Sequence, residues 1–176
     1  GMDVSEEALK FCEKRGLKNL YKSNLSKLPF KDNEFDLVTC FDVLYHENVN
    51  DEQALREIYR VLKKDGLFIS REPAFNFLYG GHDRAVHTRE RYDKKTLTKR
   101  LKNNEFKIIK ISYANMFLFP FVYILRKITK TSNKSDTKEI PFFISFPLYY
   151  LLLIESFLIK FLNLPFGVSI VSISKK

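Results

Sequence analysis

Tryptophan is absent from this 176-residue chain, and cysteine nearly so. Cys12 and Cys40 stand alone, without the paired spacing of a metal site or the density of a disulfide scaffold. That usage fits a reducing, cytoplasmic setting, and no metal is expected. Acidic residues are in deficit: 21 Asp and Glu face 30 Lys and Arg, for a net charge of +9. Such a balance favours acidic partners, whether nucleic acid, an anionic membrane surface or a phosphorylated substrate. No stacking motif of an RNA-binding fold is visible, which ranks nucleic acid last. Long uncharged runs are scarce. The longest, residues 140–154, is broken by Pro141 and Pro147 and followed by Glu155 and Lys160. It falls short of the roughly 20 apolar residues that a spanning helix needs. No secretory signal pattern stands at the N-terminus.

What is present suits one domain with a sizeable core: 45% hydrophobic residues, with 17 Phe and 9 Tyr. The chain is organised around residues 28–46. Within them Phe35-Asp36-Leu37-Val38-Thr39-Cys40 reads as a short buried strand after the polar turn Lys31-Asp32-Asn33-Glu34. Phe41-Asp42-Val43-Leu44-Tyr45-His46 then leads to a capped helix, not to a hairpin. A strand, loop and helix in that order make one βα unit of a parallel sheet. Ligands of such sheets sit outside the carboxyl ends of the strands, so residues 41–46 are the first place to look for a site.

The flanks give further elements. Ser5 is an N-cap, Glu6 and Glu7 load the first turn with negative charge, and Gly16 ends the helix. Residues 17–21 form a plausible short strand. Asn50 caps a second helix, with Gln53 at capping-box spacing. Its apolar face is Ala54, Leu55, Ile58, Tyr59, Val61 and Leu62; Lys63 and Lys64 close it and Asp65-Gly66 turns it into a strand at residues 67–70. Residues 75–92 hold Gly80-Gly81 and the basic residues His82, Arg84, His87, Arg89 and Arg91, a mobile segment suited to an anion or simply a solvated loop. Asp93 caps a short helix with Leu97 and Leu101 inward, and residues 106–113 alternate as a strand. The aromatic run at 115–125 ends in Arg126-Lys127, and residues 131–139 are polar and expected to be mobile. The run at 140–154 reads either as a buried helix or as a hydrophobic lid or membrane-surface element. Residues 167–174 alternate as a final strand.

The blocks Leu28-Pro29-Phe30, Phe35-Asp36-Leu37-Val38 and Val43-Leu44-Tyr45-His46, followed by Leu55-Arg56-Glu57 and Arg60-Val61-Leu62-Lys63, resemble class I S-adenosylmethionine-dependent methyltransferases of the type-11-like group. The resemblance implies an α/β fold: a Rossmann-like sheet with helices on both faces, plus aromatic-rich C-terminal helices. It implies cofactor-side βα units over residues 1–73, a substrate loop and helix over 74–105, and C-terminal strands and hydrophobic helices over 106–176. It also implies S-adenosylmethionine as cofactor, with Asp3 on the ribose, Asn24 and Leu25 at the adenine and Phe41 as a wall. In many relatives the position of Asn24 is an Asp. His46 is the candidate base or substrate contact; Tyr45, His87 and Arg91 are weaker substrate candidates. Each has a plainer role open to it: Asp3 as a helix-leading acid, Asn24 as a turn residue, His46 as a loop histidine. The acceptor expected is a small or lipid-linked molecule.

The family opens with a strand and a Gly-x-Gly-x-Gly loop, and no such loop occurs in these residues. The resemblance starts at the family's second strand, an N-terminal truncation of about 40 residues judged from the size of a βα unit. In the family order 3-2-1-4-5-7-6 the absent strand is central. Its loss should separate the Asp3 unit from the Phe35 strand and leave sheet edges open to re-pairing or homo-oligomerisation. A degenerate, non-catalytic module that binds a partner or a membrane surface is the alternative.

Overall fold

The computed structural model describes residues 1–128 and 142–176. Helix ends follow local chemistry. Ser5 Oγ accepts from Ala8 N (3.2 Å) to start α1 (Glu6–Lys14), and Gly16 takes a φ of +78° just beyond it. Asn50 Oδ1 accepts from Gln53 N (3.1 Å) at the head of α2 (Asp51–Val61). The Gln53 side chain does not close a capping box; it donates to Ser26 O (3.0 Å) and ties the helix to an earlier loop. Asp93 Oδ1 accepts from Thr96 N (2.7 Å) to begin α4 (Lys94–Asn103). Each satisfied amide removes part of the cost of a helix terminus.

Among the described residues the strands form two separate sheets. β1 (Met2–Asp3) and β2 (Tyr21–Lys22) pair in parallel as a two-stranded ribbon. The larger sheet has the order β3-β4-β6-β5, from β3 (Phe35–Phe41), β4 (Leu62–Pro73), β5 (Lys107–Ala114) and β6 (Ser169–Lys175). β3 and β4 are parallel, with Leu37 opposite Leu67 and Phe41 opposite Arg71; β6 runs antiparallel to both its neighbours. The Asp3 unit and the Phe35 strand are therefore unconnected by ladder bonds. β3 is an edge strand.

Some boundaries differ from those read in the sequence. α2 ends at Val61, not at the lysines, and β4 begins at Leu62, five residues before the expected strand. Phe35 pairs with Leu62 and a bulge separates that pair from Leu37 and Leu67, so the turn at Asp65 (φ +67°) and Gly66 is absorbed into the strand. The short strand expected at 17–21 is confined to Tyr21 and Lys22. Residues 75–92 are partly helical, with a 3₁₀ turn at Asn76–Leu78 and α3 at Gly81–Ala85. In β6 the serines point inward: Ser172 and Ser174 are buried beside Ile170, and Ser172 Oγ meets Ser70 Oγ at 2.7 Å across the ladder. Gly167 is required before it, because a side chain there would strike Ala114 O.

The core joins Ala54, Leu55, Ile58 and Val61 of α2 to Leu62 and Phe68 of β4 and to Leu97, Leu101 and Phe106, all essentially buried. Each of the larger aliphatic and aromatic side chains contributes about 1.5–3 kcal/mol. The C-terminal half departs from this pattern. α5 (Phe119–Ile128) buries no residue. α6 (Phe142–Phe161), which covers the run at 140–154 read either as a buried helix or as a hydrophobic lid or membrane-surface element, buries only Glu155 among its described side chains. A helix that is apolar on every side cannot bury all its faces against the end of one four-stranded sheet. The polar stretch 131–139 and residues 140 and 141 lie outside the described residues.

Candidate active site

The chain leaves β3 at Phe41 and bends at Asp42, whose φ is +55°. Asp42 N donates to Arg71 O (2.8 Å) and the Asp42 carboxylate pairs with the Arg71 guanidinium, which also lies over the Phe41 ring. Two parallel strand ends are thus joined at their carboxyl edge. Behind the loop stands Glu72, 0% exposed, whose Oε1 accepts from Leu44 N (3.2 Å). Burial raises its pKa to about 8; the amides of Leu44, Tyr45 and Val43 pull the other way and Asp42 pushes it further up. Glu72 Oε2 has no hydrogen-bond partner among the described residues. The same burial, reinforced by Glu72 and Asp42, pushes the Cys40 thiol far up, so it is a packed, unreactive group.

A second segment clamps the loop from outside. Arg89 N donates to Tyr45 O (2.8 Å) and Glu47 N to His87 O (3.0 Å), while Arg89 Nη1 reaches Val49 O (2.6 Å). The buried Tyr92 hydroxyl lies 2.7 Å from Asp51 Oδ2 and 3.2 Å from Leu44 O. Residues 87–92 therefore fix the backbone of residues 44–49, and with it the direction of His46.

In front of β3 lies a cavity of about 690 Å³. Asp3, Asn24, Leu25, Phe41 and His46 all line it, as do Val38 and Thr39 of β3, Met2 of β1 and Gly1 before it. Asp3 Oδ1 accepts from Ser5 N (2.7 Å) and Asn24 Oδ1 from Ser26 N (3.0 Å), so both are also local turn-makers. Of the other residues singled out in the sequence, Tyr45 stacks on the His46 ring (4.3 Å between centroids), and burial, with Asp42 next, raises its hydroxyl pKa. His87 is exposed with Nδ1 3.0 Å from Glu47 Oε1. Arg91 is buried, with Nε 2.7 Å from Asp83 Oδ1 and Nη1 3.0 Å from Ala74 O. Those three do not line the cavity. Burial pushes the Asp83 carboxyl up, but the bond and charge of Arg91 outweigh it and hold the group below the usual range.

Sequence reasoning missed Glu72, Asp83 and Tyr92. Glu72 had a usable signal: it sits with Arg71 and Pro73 at the carboxyl end of β4, beside the residues already suspected. Asp83 and Tyr92 had none, because their partners are set only by tertiary folding.

The lining offers a carboxylate, an amide and apolar walls within a volume typical of small-molecule sites. Those groups fit a nucleoside: a carboxylate for a diol, an amide and apolar surface for a base. A glycine-rich turn for the amino-acid end of such a cofactor is not among these residues; the cavity's glycine is Gly1.

The methyltransferase domain family matches residues 1–70, which span α1, β3, α2 and most of β4. An uncharacterized methyltransferase of Bacillus subtilis is 35% identical over 75 residues, covering 39% of this chain and 29% of the relative. A demethylmenaquinone methyltransferase of Geobacillus stearothermophilus is 40% identical over 87 residues, covering 46% of this chain and 36% of the relative. The chain spans less than half the length of the curated relatives that it matches. Among solved structures, a SAM-dependent methyltransferase from Archaeoglobus fulgidus superposes with a TM-score of 0.62 at 20% identity, covering 100% of this chain and 75% of that one. The fold is the Rossmann-like methyltransferase fold, and the family's cofactor is S-adenosylmethionine.

Proposed function

We propose that this chain is an S-adenosylmethionine-dependent methyltransferase whose cofactor binds in the cavity beside β3 and whose acceptor is a small apolar or lipid-linked molecule. One observation carries the reading: Asp3, Asn24, Leu25, Phe41 and His46, drawn from separated segments, converge on a single cavity at the carboxyl ends of parallel strands. Asp3 would hold the ribose hydroxyls, Asn24 and Leu25 the adenine, and Phe41 would close one wall. The cofactor supplies a methyl group already activated by its sulfonium charge. The protein's task is then to position the acceptor and, for a hydroxyl or acidic carbon, to take its proton. His46 stands at the cavity and is steadied by the Tyr45 ring and by the clamp of residues 87–92, so it is the group proposed to take that proton. Tyr45, stacked on the imidazole, would orient it.

Support for an apolar acceptor is chemical. Several relatives are named as quinone methyltransferases, from Geobacillus, Rickettsia and Dictyostelium. A second cavity of about 560 Å³, lined by Phe77, Tyr79, Phe119 and Tyr123 with Arg126 and Lys127, offers aromatic surface near the C-terminal helices. The test is transfer of labelled methyl to demethylated quinols of short and long side chain. Turnover is expected, and His46→Asn should lower kcat by about 100-fold with little change in cofactor affinity. Turnover that His46→Asn leaves intact removes its role; no transfer to any apolar acceptor by cofactor-loaded protein removes the acceptor class.

A further inference from the structure

The two C-terminal helices are inside out. Among the described residues α5 buries nothing, and α6 buries only Glu155, at 4% exposure. The Glu155 carboxylate turns inward to accept from Asn115 N and from Phe117 N, the latter at 3.2 Å, and so pins α6 to the loop after β5. The apolar side chains go the other way. Phe121, Ile124 and Ile128 of α5 and Leu153, Phe157 and Phe161 of α6 range from 50% exposed at Leu153 to 75% at Ile128. Covering these side chains removes apolar surface from water, so the surface as a whole favours an apolar cover.

Charge decides what kind of cover. Lys127 and Lys160 stand in the last turns of α5 and α6, with Nζ 4.7 Å from the Tyr123 ring centre and 5.9 Å from that of Phe157. Cations edge the apolar surface, and the chain as a whole carries +9. A second copy would bring like charge to like; a surface of anionic headgroups over acyl chains matches both features. Tyr149 and Tyr150 add the amphipathic rings found at membrane interfaces. Among the described residues no helix is long and apolar enough to cross a bilayer, so contact would be from one side. We propose that α5 and α6 dock this chain onto an anionic lipid bilayer, with their exposed Phe, Ile and Leu side chains among the acyl chains and Lys127 and Lys160 on the headgroups. The aromatic cavity of about 560 Å³ beside α5 would then face the bilayer from which an apolar molecule could enter. The docking itself does not rest on methyl transfer.

The test is cosedimentation of the full chain, without cofactor, with vesicles of phosphatidylcholine alone and of phosphatidylcholine mixed with phosphatidylglycerol. Binding to the mixed vesicles is expected to exceed that to the neutral ones by about tenfold or more and to weaken in high salt. Lys127→Glu with Lys160→Glu should abolish the difference. Leu153→Ser, Phe157→Ser and Phe161→Ser together should weaken binding by at least about tenfold. All three residues are exposed, so the variants are expected to fold, which circular dichroism checks. No binding by the folded chain overturns the proposal, as does binding that the triple serine variant leaves unchanged. So does a dimer, measured by sedimentation equilibrium, that binds no vesicles and dissociates in the triple variant.

Discussion

α2 and α6 make an instructive pair. α2 mixes charged and apolar residues, yet it buries Ala54, Leu55, Ile58 and Val61 to 1% exposure or less. α6 is far more apolar, yet the one described side chain it buries is an acid. The amount of apolar surface does not decide where a helix goes; its arrangement does. α2 offers one stripe, and a stripe fits a sheet. α6 offers apolar surface all round, so most of it stays outside whichever face meets β5, and its one carboxylate finds the backbone amides that it needs.

The inward side of that comparison should break most sharply at its buried charges. Arg91→Met leaves Asp83 with one fewer cation in an environment that excludes water, and a loss of about 3–5 kcal/mol is expected in urea unfolding. The double change to Met at 91 and Asn at 83 should cost less than the single one. A smaller effect separates the two helices themselves. Leu55→Ala should cost about 2–5 kcal/mol, from lost burial and the cavity left behind, whereas Leu153→Ala should stay within about 0.5 kcal/mol. Equal losses at the two positions would mean that α6 is packed after all.

The smallest expected effect sharpens the site side of the picture. Glu72 titrates near 8 in the fold against an ordinary value of 4.5. Between those values the unfolded chain has ionised while the folded one keeps its proton. Stability therefore falls as pH rises through that window and levels off above about 8. Glu72→Gln keeps an acceptor for Leu44 N and removes the titration. It should flatten the slope and stabilise the protein by about 1–3 kcal/mol at about pH 7.5. An unchanged pH profile would place the Glu72 titration elsewhere.

Much of the fold was legible because local chemistry carried it. The caps at Ser5, Asn50 and Asp93 and the strand at Phe35 need only their neighbours in sequence. The α2–β4 junction was misread because Lys63-Lys64-Asp65-Gly66 has the composition of a turn, while the pairing of Phe35 with Leu62 pulls it into a strand. The cavity residues were reachable through the family resemblance. The groups that hold the loop were not: Glu72 reaches Leu44 across 28 residues and Tyr92 reaches Asp51 across 41. Arg91, read as a candidate for substrate, is spent on Asp83 eight residues away. A basic loop residue and a buried ion pair look alike until burial is known.

Whether the cavity beside β3 holds S-adenosylmethionine is decided by isothermal titration of the chain with S-adenosylmethionine and S-adenosylhomocysteine. One site per chain is expected, with affinity reduced by at least about tenfold in Asp3→Ala through loss of a charge-assisted bond to the ribose. Absence of binding by the folded chain, or binding indifferent to Asp3→Ala, would contradict that assignment.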